Sequence, residues 1–254
     1  MGRHACVIYV HGNRYTASDA VESGMYVLAN SRRGLDTPID FVIWSWPSDR
    51  KGVLGYDVRI KAARTDAQGL MLADFLEFQA DQSIPTTLIG FSFGGRVITG
   101  AMHAMAGGTL GGRFLPKDSI TGADFDVGLI APAVERNWLN YGGYHELASQ
   151  NIHRMTVLYN RRDIVLKRYW LIDKVRGQIA LGYAGPKAFA ARVDGSPLPV
   201  RGRDCSQIVG LQHDETDYYE GRCDAGGEIS LLIRDTMTRY RGTPDPPVID
   251  AVAP

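Results

Sequence analysis

The chain has 254 residues, 44% of them hydrophobic and 22% charged, the proportions of an ordinary globular protein. That excludes a disordered, collagen-like or coiled-coil chain, and the length suits one large α/β domain better than two. Lys plus Arg and Asp plus Glu each total 28, so the formal net charge is 0 and no basic footprint for nucleic acid or an anionic membrane is present.

No apolar run approaches the ~20 residues of a membrane span, and Met1-Gly2-Arg3-His4 passes straight into a strand-like run without a signal h-region. A cytoplasmic chain is expected, or an exported one whose signal has been removed. From there, short apolar runs rich in β-branched and aromatic residues alternate with helical stretches. Ala5–Val10 (ACVIYV) reads as a buried strand, Ala17–Ser31 as a helix, and Phe41–Trp46 (FVIWSW) as the second strand. A long helix over Tyr56–Gln79 follows, with Ala62, Leu72, Phe75 and Leu76 along one face. Then come strand Thr86–Ile89, helix Gly94–Ala106, strands Val127–Ala131 and Met155–Tyr159, and helices over Val165–Val175 and Glu228–Tyr240. Gly242–Pro254 is a Pro-rich tail, which leaves residues 1–241 as one domain. Strands alternating with helices of this length imply right-handed crossovers, hence an α/β fold with a mostly parallel sheet flanked by helices on both faces. Ligands of such sheets bind beyond the carboxyl ends of the strands.

After the third strand stands Gly90-Phe91-Ser92-Phe93-Gly94-Gly95, then an apolar helix. This is G-x-S-x-G in a strand-turn-helix setting, where a sharp strained turn pushes the serine hydroxyl into the cleft and glycines avoid clashes. Ser92 is the candidate nucleophile. A phosphate loop fits less well, since neither Lys-Ser nor Lys-Thr follows the glycines. The first strand runs into His11-Gly12-Asn13-Arg14, a place where the loop can bring a backbone N–H beside the one that follows the serine. The N–H groups of Asn13 and Phe93 are the candidate oxyanion donors, and His11 reads as a buried histidine that fixes the loop.

A serine hydroxyl needs a base, and the base needs a third group to hold its tautomer. Asp163 follows the fifth strand in Asn160-Arg161-Arg162-Asp163, either as the orienting acid or as an N-cap; Glu135, after the fourth strand, is its rival. Asp124 and Asp126 precede their strand and fall at the wrong end of the sheet. Of six histidines, His4 and His11 precede the serine, His103 lies too far along the helix after it, and His145 and His153 lead back to the opposite edge. His213, in a polar loop before the last helix, remains as the base. The apolar stretch after Asp163 would line an acyl pocket through Trp170, Leu171 and Ile179, unless it packs on the sheet as an ordinary crossover helix. Three cysteines cannot all pair; Cys205 and Cys223 bracket His213, and a bond between them in an oxidising compartment would close that loop.

Together the elbow GFSFGG, the opening YVHGN, WSWPSD at Trp44–Asp49, NRRDIVL with the downstream Leu181-Gly182, and HDETDYY resemble the α/β-hydrolases of the esterase-like group DUF900, from Ala5 to about Arg241. The resemblance implies a hydrolase with a Ser92-Asp163-His213 triad and no substrate in particular. Members usually carry antiparallel strands ahead of the His-Gly strand, so a sheet reduced on that side is expected. The reading is a serine hydrolase of a carboxylic ester, less readily of a thioester or amide, with a small-molecule substrate, no nucleic acid and no membrane span. No cofactor is expected, since neither C-x-x-C nor H-E-x-x-H occurs. The alternatives are a catalytically silent hydrolase fold used for binding, or an acyltransferase with the same triad.

Overall fold

The computed structural model describes residues 4–49, 54–172 and 177–241. Six strands form one sheet in the order β2-β1-β3-β4-β5-β6, with β1 Ala5–Val10, β2 Ile39–Trp44, β3 Thr86–Phe91, β4 Phe125–Ile130, β5 Ile152–Tyr159 and β6 Val200–Asp204. All neighbours pair in parallel; on β1, Val7 lies opposite Phe41 of β2 on one side and Thr87 of β3 on the other. β1, β3 and β4 are buried at every position, which is why they read as mostly apolar runs.

Strand order dictates where the helices go. From β1 the chain steps outward to β2, then back past β1 to β3 and on toward β6, so right-handed crossovers put the first helix on one face and the next two on the other. Accordingly α2 (Leu54–Asp81) packs on α3 (Phe93–Met105), while α1 (Ala17–Ser31) packs on α6 (Ala225–Arg241). Short helices α4 (Leu181–Ala184) and α5 (Ser206–Val209) lie in the later loops. Thr16 starts α1 with a capping box: its hydroxyl accepts the Asp19 N–H and the Asp19 carboxylate accepts the Thr16 N–H. Among the described residues no helix is long and apolar enough to cross a membrane.

Three elements depart from the sequence reading. β2 ends at Trp44, because Trp46 leaves the sheet: its backbone N–H donates to His11 Nε2 and its indole N–H to the His11 carbonyl. β6 was not anticipated, since VRGRD carries no apolar alternation; it is an edge strand held by its backbone pairing to β5. The helix over Val165–Val175 is a 3-10 helix at Leu166–Leu171, and the end of that stretch, like the tail 242–254, lies outside the described residues.

The reversal of strand order falls between β1 and β3. Loops leaving those two strands diverge there, which makes the crevice in which ligands of open parallel sheets bind. His11-Gly12-Asn13 leaves β1 and Ser92 leaves β3 at that place.

Candidate active site

Ser92 sits between β3 and α3 at φ 50° and ψ −114°, a conformation that side chains rarely adopt. The turn is held from three sides: the Ser92 N–H donates to the Ile130 carbonyl (3.0 Å), and the Ser92 carbonyl accepts the N–H groups of Gly95 (3.1 Å) and Ala133 (3.0 Å). Glycine is required at two of its neighbours. A Cβ on Gly90 would lie 2.8 Å from the Gly95 nitrogen, and one on Gly94 would overlap the Val10 carbonyl. These contacts bring the start of α3 against the end of β1, so the serine and the loop after β1 share one crevice.

His213 bridges the serine and the acid. Its Nε2 is 2.9 Å from Ser92 Oγ and its Nδ1 is 2.6 Å from Asp163 Oδ2. Asp163 is fully buried, and its other oxygen accepts the N–H groups of Val165 and Leu166, each at 2.8 Å. The carboxylate therefore caps the following turn and meets the imidazole at once, so neither of the two roles weighed for it excludes the other. A carboxylate can only accept from Nδ1, which leaves the Nε2 lone pair for the Ser92 hydroxyl proton. The Phe91 ring stacks on His213 at 5.2 Å between centroids and limits its tilt.

The competing residues lie elsewhere. Glu135 accepts the backbone and side-chain N–H groups of Asn137 (2.8 and 3.1 Å). His145 is buried against the Thr99 hydroxyl, His103 accepts the Leu147 N–H, and His153 faces Asp124. His11 takes the structural role read for it: with Nε2 accepting from Trp46, its proton is on Nδ1 and donates to the Gly12 carbonyl (2.9 Å). Burial lowers its pKa and keeps the ring neutral.

A cavity of about 540 Å³ opens at Ser92, with Asn13, Phe93 and His213 among its lining residues. As the first residue of α3, Phe93 has an N–H without an intrahelical acceptor. Of the three pocket residues expected, only Leu171 lines the cavity; Trp170 (41% exposed) and Ile179 (44%) do not. The 3-10 turn accounts for Trp170, whereas Ile179 lies beyond it, its carbonyl accepting the Arg136 N–H beside the bridge of Glu135 to Ala180. With three residues per turn, Leu166, Tyr169 and Ile172 stack on one inward face and Trp170 falls out of phase. Ile164, Val165, Leu166 and Ile172 supply the apolar wall instead.

A family model described as alpha/beta hydrolase of unknown function (DUF900) matches residues 2–191. The chain belongs to this family. Among solved structures it is similar to an inhibited esterase B from Lactobacillus rhamnosis, at 13% identity and a TM-score of 0.45, covering 93% of this chain and 78% of that one. It is also similar to acyl-protein thioesterase 2 from Zea mays, at 15% identity and a TM-score of 0.46, covering 92% and 95%. No curated protein matches it.

This α/β-hydrolase has a reduced sheet, parallel throughout its described strands. Several residues that hold its site had no role assigned from the sequence, although Asn160 and Gly182 fall within the stretches that carry the resemblance. Asn160 donates its side-chain amide to the carbonyls of Gly210 (2.8 Å) and Gln212 (3.3 Å), fastening the His213 loop to the end of β5. Gly182 donates to the Pro132 carbonyl and accepts the Asn160 N–H, bracing the loops after β4 and β5; a Cβ there would overlap the backbone of Ala131 and Pro132. Arg96, buried in the first turn of α3, donates to Thr65 Oγ (3.1 Å) and Tyr169 Oη (3.0 Å), tying the cavity roof to α2. Cys205 and Cys223 flank the His213 loop as free, buried thiols, with Cys223 Sγ 3.9 Å from the Cys205 carbonyl oxygen.

Proposed function

We propose that this α/β-hydrolase is a serine hydrolase that cleaves a carboxylic ester through an acyl-Ser92 intermediate. The observation that carries the reading is the unbroken hydrogen-bonded line from Ser92 Oγ through both ring nitrogens of His213 to Asp163. Ser92 Oγ attacks the ester carbonyl carbon as its proton passes to His213 Nε2. Asp163 holds the Nδ1–H tautomer and stabilises the imidazolium that forms. Negative charge collects on the former carbonyl oxygen, where the N–H groups of Asn13 and Phe93 are the donors. Collapse of the intermediate breaks the carbon–oxygen bond to the alcohol, which leaves with the Nε2 proton. Water then repeats the sequence on the acyl-enzyme and releases the acid.

The apolar wall of Ile164, Val165, Leu166, Leu171 and Ile172 suits a short to medium acyl chain. A panel of fluorogenic esters, thioesters and amides against wild type and Ser92→Ala tests the reading. Turnover of one or more esters that Ser92→Ala abolishes is the expected result. Turnover that survives Ser92→Ala, or none with any of the three classes, overturns it.

A further inference from the structure

Two residues beyond His213 lies a buried carboxyl that the proposed chemistry does not use. Glu215 is 3% exposed, and among the described residues no cation pairs with it. Its Oε2 lies 2.6 Å from Tyr9 Oη on β1 and 2.8 Å from Ser23 Oγ on α1, and those two hydroxyls lie 2.7 Å from each other. Tyr15 Oη, on the loop after β1, reaches the same oxygen at 3.5 Å, while Glu215 Oε1 is buried without a partner. The remaining ionisable groups that face it are Asp214 on its own loop and Tyr219 on the 3-10 helix Thr216–Tyr219.

Counting hydrogens decides the state of this cluster. Three oxygens in mutual contact form three edges, and each edge needs one hydrogen to be attractive. Tyr9 and Ser23 supply one each. A carboxylate supplies none and leaves one close oxygen pair without a hydrogen; a protonated carboxyl supplies the third, so that each oxygen donates once and accepts once. Burial pushes the Glu215 pKa up to about 7, in the same direction.

We propose that Glu215 is a positioning residue that, in its protonated form, closes a hydrogen-bonded ring with Tyr9 and Ser23, fixing the His213 loop against β1 and α1. The ring ties the loop that carries the base to the strand from which the Asn13 loop departs. It therefore helps to set the distance between His213 Nε2 and Ser92 Oγ. This role rests on the serine-hydrolase reading above.

Two measurements on the whole protein test it. Infrared difference spectra of wild type against Glu215→Gln should show, at pH 5 to 6, the carbonyl stretch of a protonated carboxylic acid that the substitution removes. With the best ester, Glu215→Ala should lower kcat about tenfold or more with a smaller change in KM, because the carboxyl holds the base loop even though it also borders the cavity. Tyr9→Phe, which keeps the ring packing, should lose kcat less severely, and the Glu215→Ala/Tyr9→Phe pair no more than Glu215→Ala alone. No protonated-acid band assignable to Glu215, a kcat within about twofold of wild type in Glu215→Ala, or additive losses would each overturn the proposal. Ser92→Ala, run in parallel, separates the two readings. Activity that survives Ser92→Ala overturns the hydrolase reading, whereas activity lost in Ser92→Ala but intact in Glu215→Ala overturns the role of Glu215 alone.

Discussion

Asp163 divides its two oxygens between a turn and an imidazole, and this sets what its substitutions do. Asp163→Asn keeps the shape but offers an amide N–H to Nδ1, favouring the wrong tautomer, and should cost ~10⁴ in turnover. Glu135→Gln, whose carboxylate is spent on Asn137, should cost less than about tenfold. Ser92→Ala and His213→Ala should each lose at least ~10⁴-fold, and the double mutant little more, since the three groups act as a unit. Steady-state kinetics on purified variants of matched melting temperature check the set. At this scale the sequence singled out three residues that the structure brings together: Ser92 between glycines after β3, Asp163 after β5, and His213 in a polar loop before the last helix. It was silent on Glu215, because a carboxyl next to Asp214 in HDETDYY looks like a solvated loop until the tertiary fold buries it among tyrosines. The burial has a consequence for stability. A folded pKa of about 7 against an ordinary 4.5 means that unfolding releases the proton between those values. The contribution of Glu215 is thus most favourable below pH 4.5, declines as pH rises to 7, and is at its least favourable above that. Chemical denaturation of wild type and Glu215→Gln from pH 4.5 to 8 should show wild type losing as much as ~3 kcal/mol relative to the variant across that window. A constant difference would contradict it.

Among the elements, the segment over the cavity differs most from its reading. An apolar stretch after a strand is readily taken for an α-helix, but Asp163 caps a tighter turn whose period of three selects Leu166, Tyr169 and Ile172 as the inward face. β6 escaped notice for the opposite reason, since an edge strand with exposed side chains has no apolar period to detect. The buried strands and α3 were legible because burial on all sides keeps most of their positions apolar. The corrected roof predicts substrate preference. Val165→Ala and Leu171→Ala, both exposed cavity-lining residues, should shift the ranking of acyl chain lengths by ~1 to 3 kcal/mol per lost contact with little change in melting temperature. Trp170→Ala should leave that ranking unchanged. kcat/KM over a series of p-nitrophenyl esters decides between them, and an effect at Trp170 larger than at Leu171 would restore the sequence-based assignment.

For the molecule as a whole, strand order is what makes the site. Because the chain leaves β1 toward β2 and returns to build β3 on its other side, the loops after β1 and β3 face one crevice, and the later loops bring Asp163 and His213 to it from β5 and from beyond β6. Alternation of strands and helices predicted a parallel sheet, while the order of its strands came only with the structure, since local sequence does not say on which side of β1 a strand will pair. The central claim is that this arrangement makes Ser92 a nucleophile, and covalent labelling tests it most directly. A fluorophosphonate incubated with the native protein, followed by peptide mass spectrometry, should place one adduct on Ser92, greatly slowed in His213→Ala and absent in Ser92→Ala. No adduct on the wild type, or one on another residue that persists in Ser92→Ala, would contradict the account.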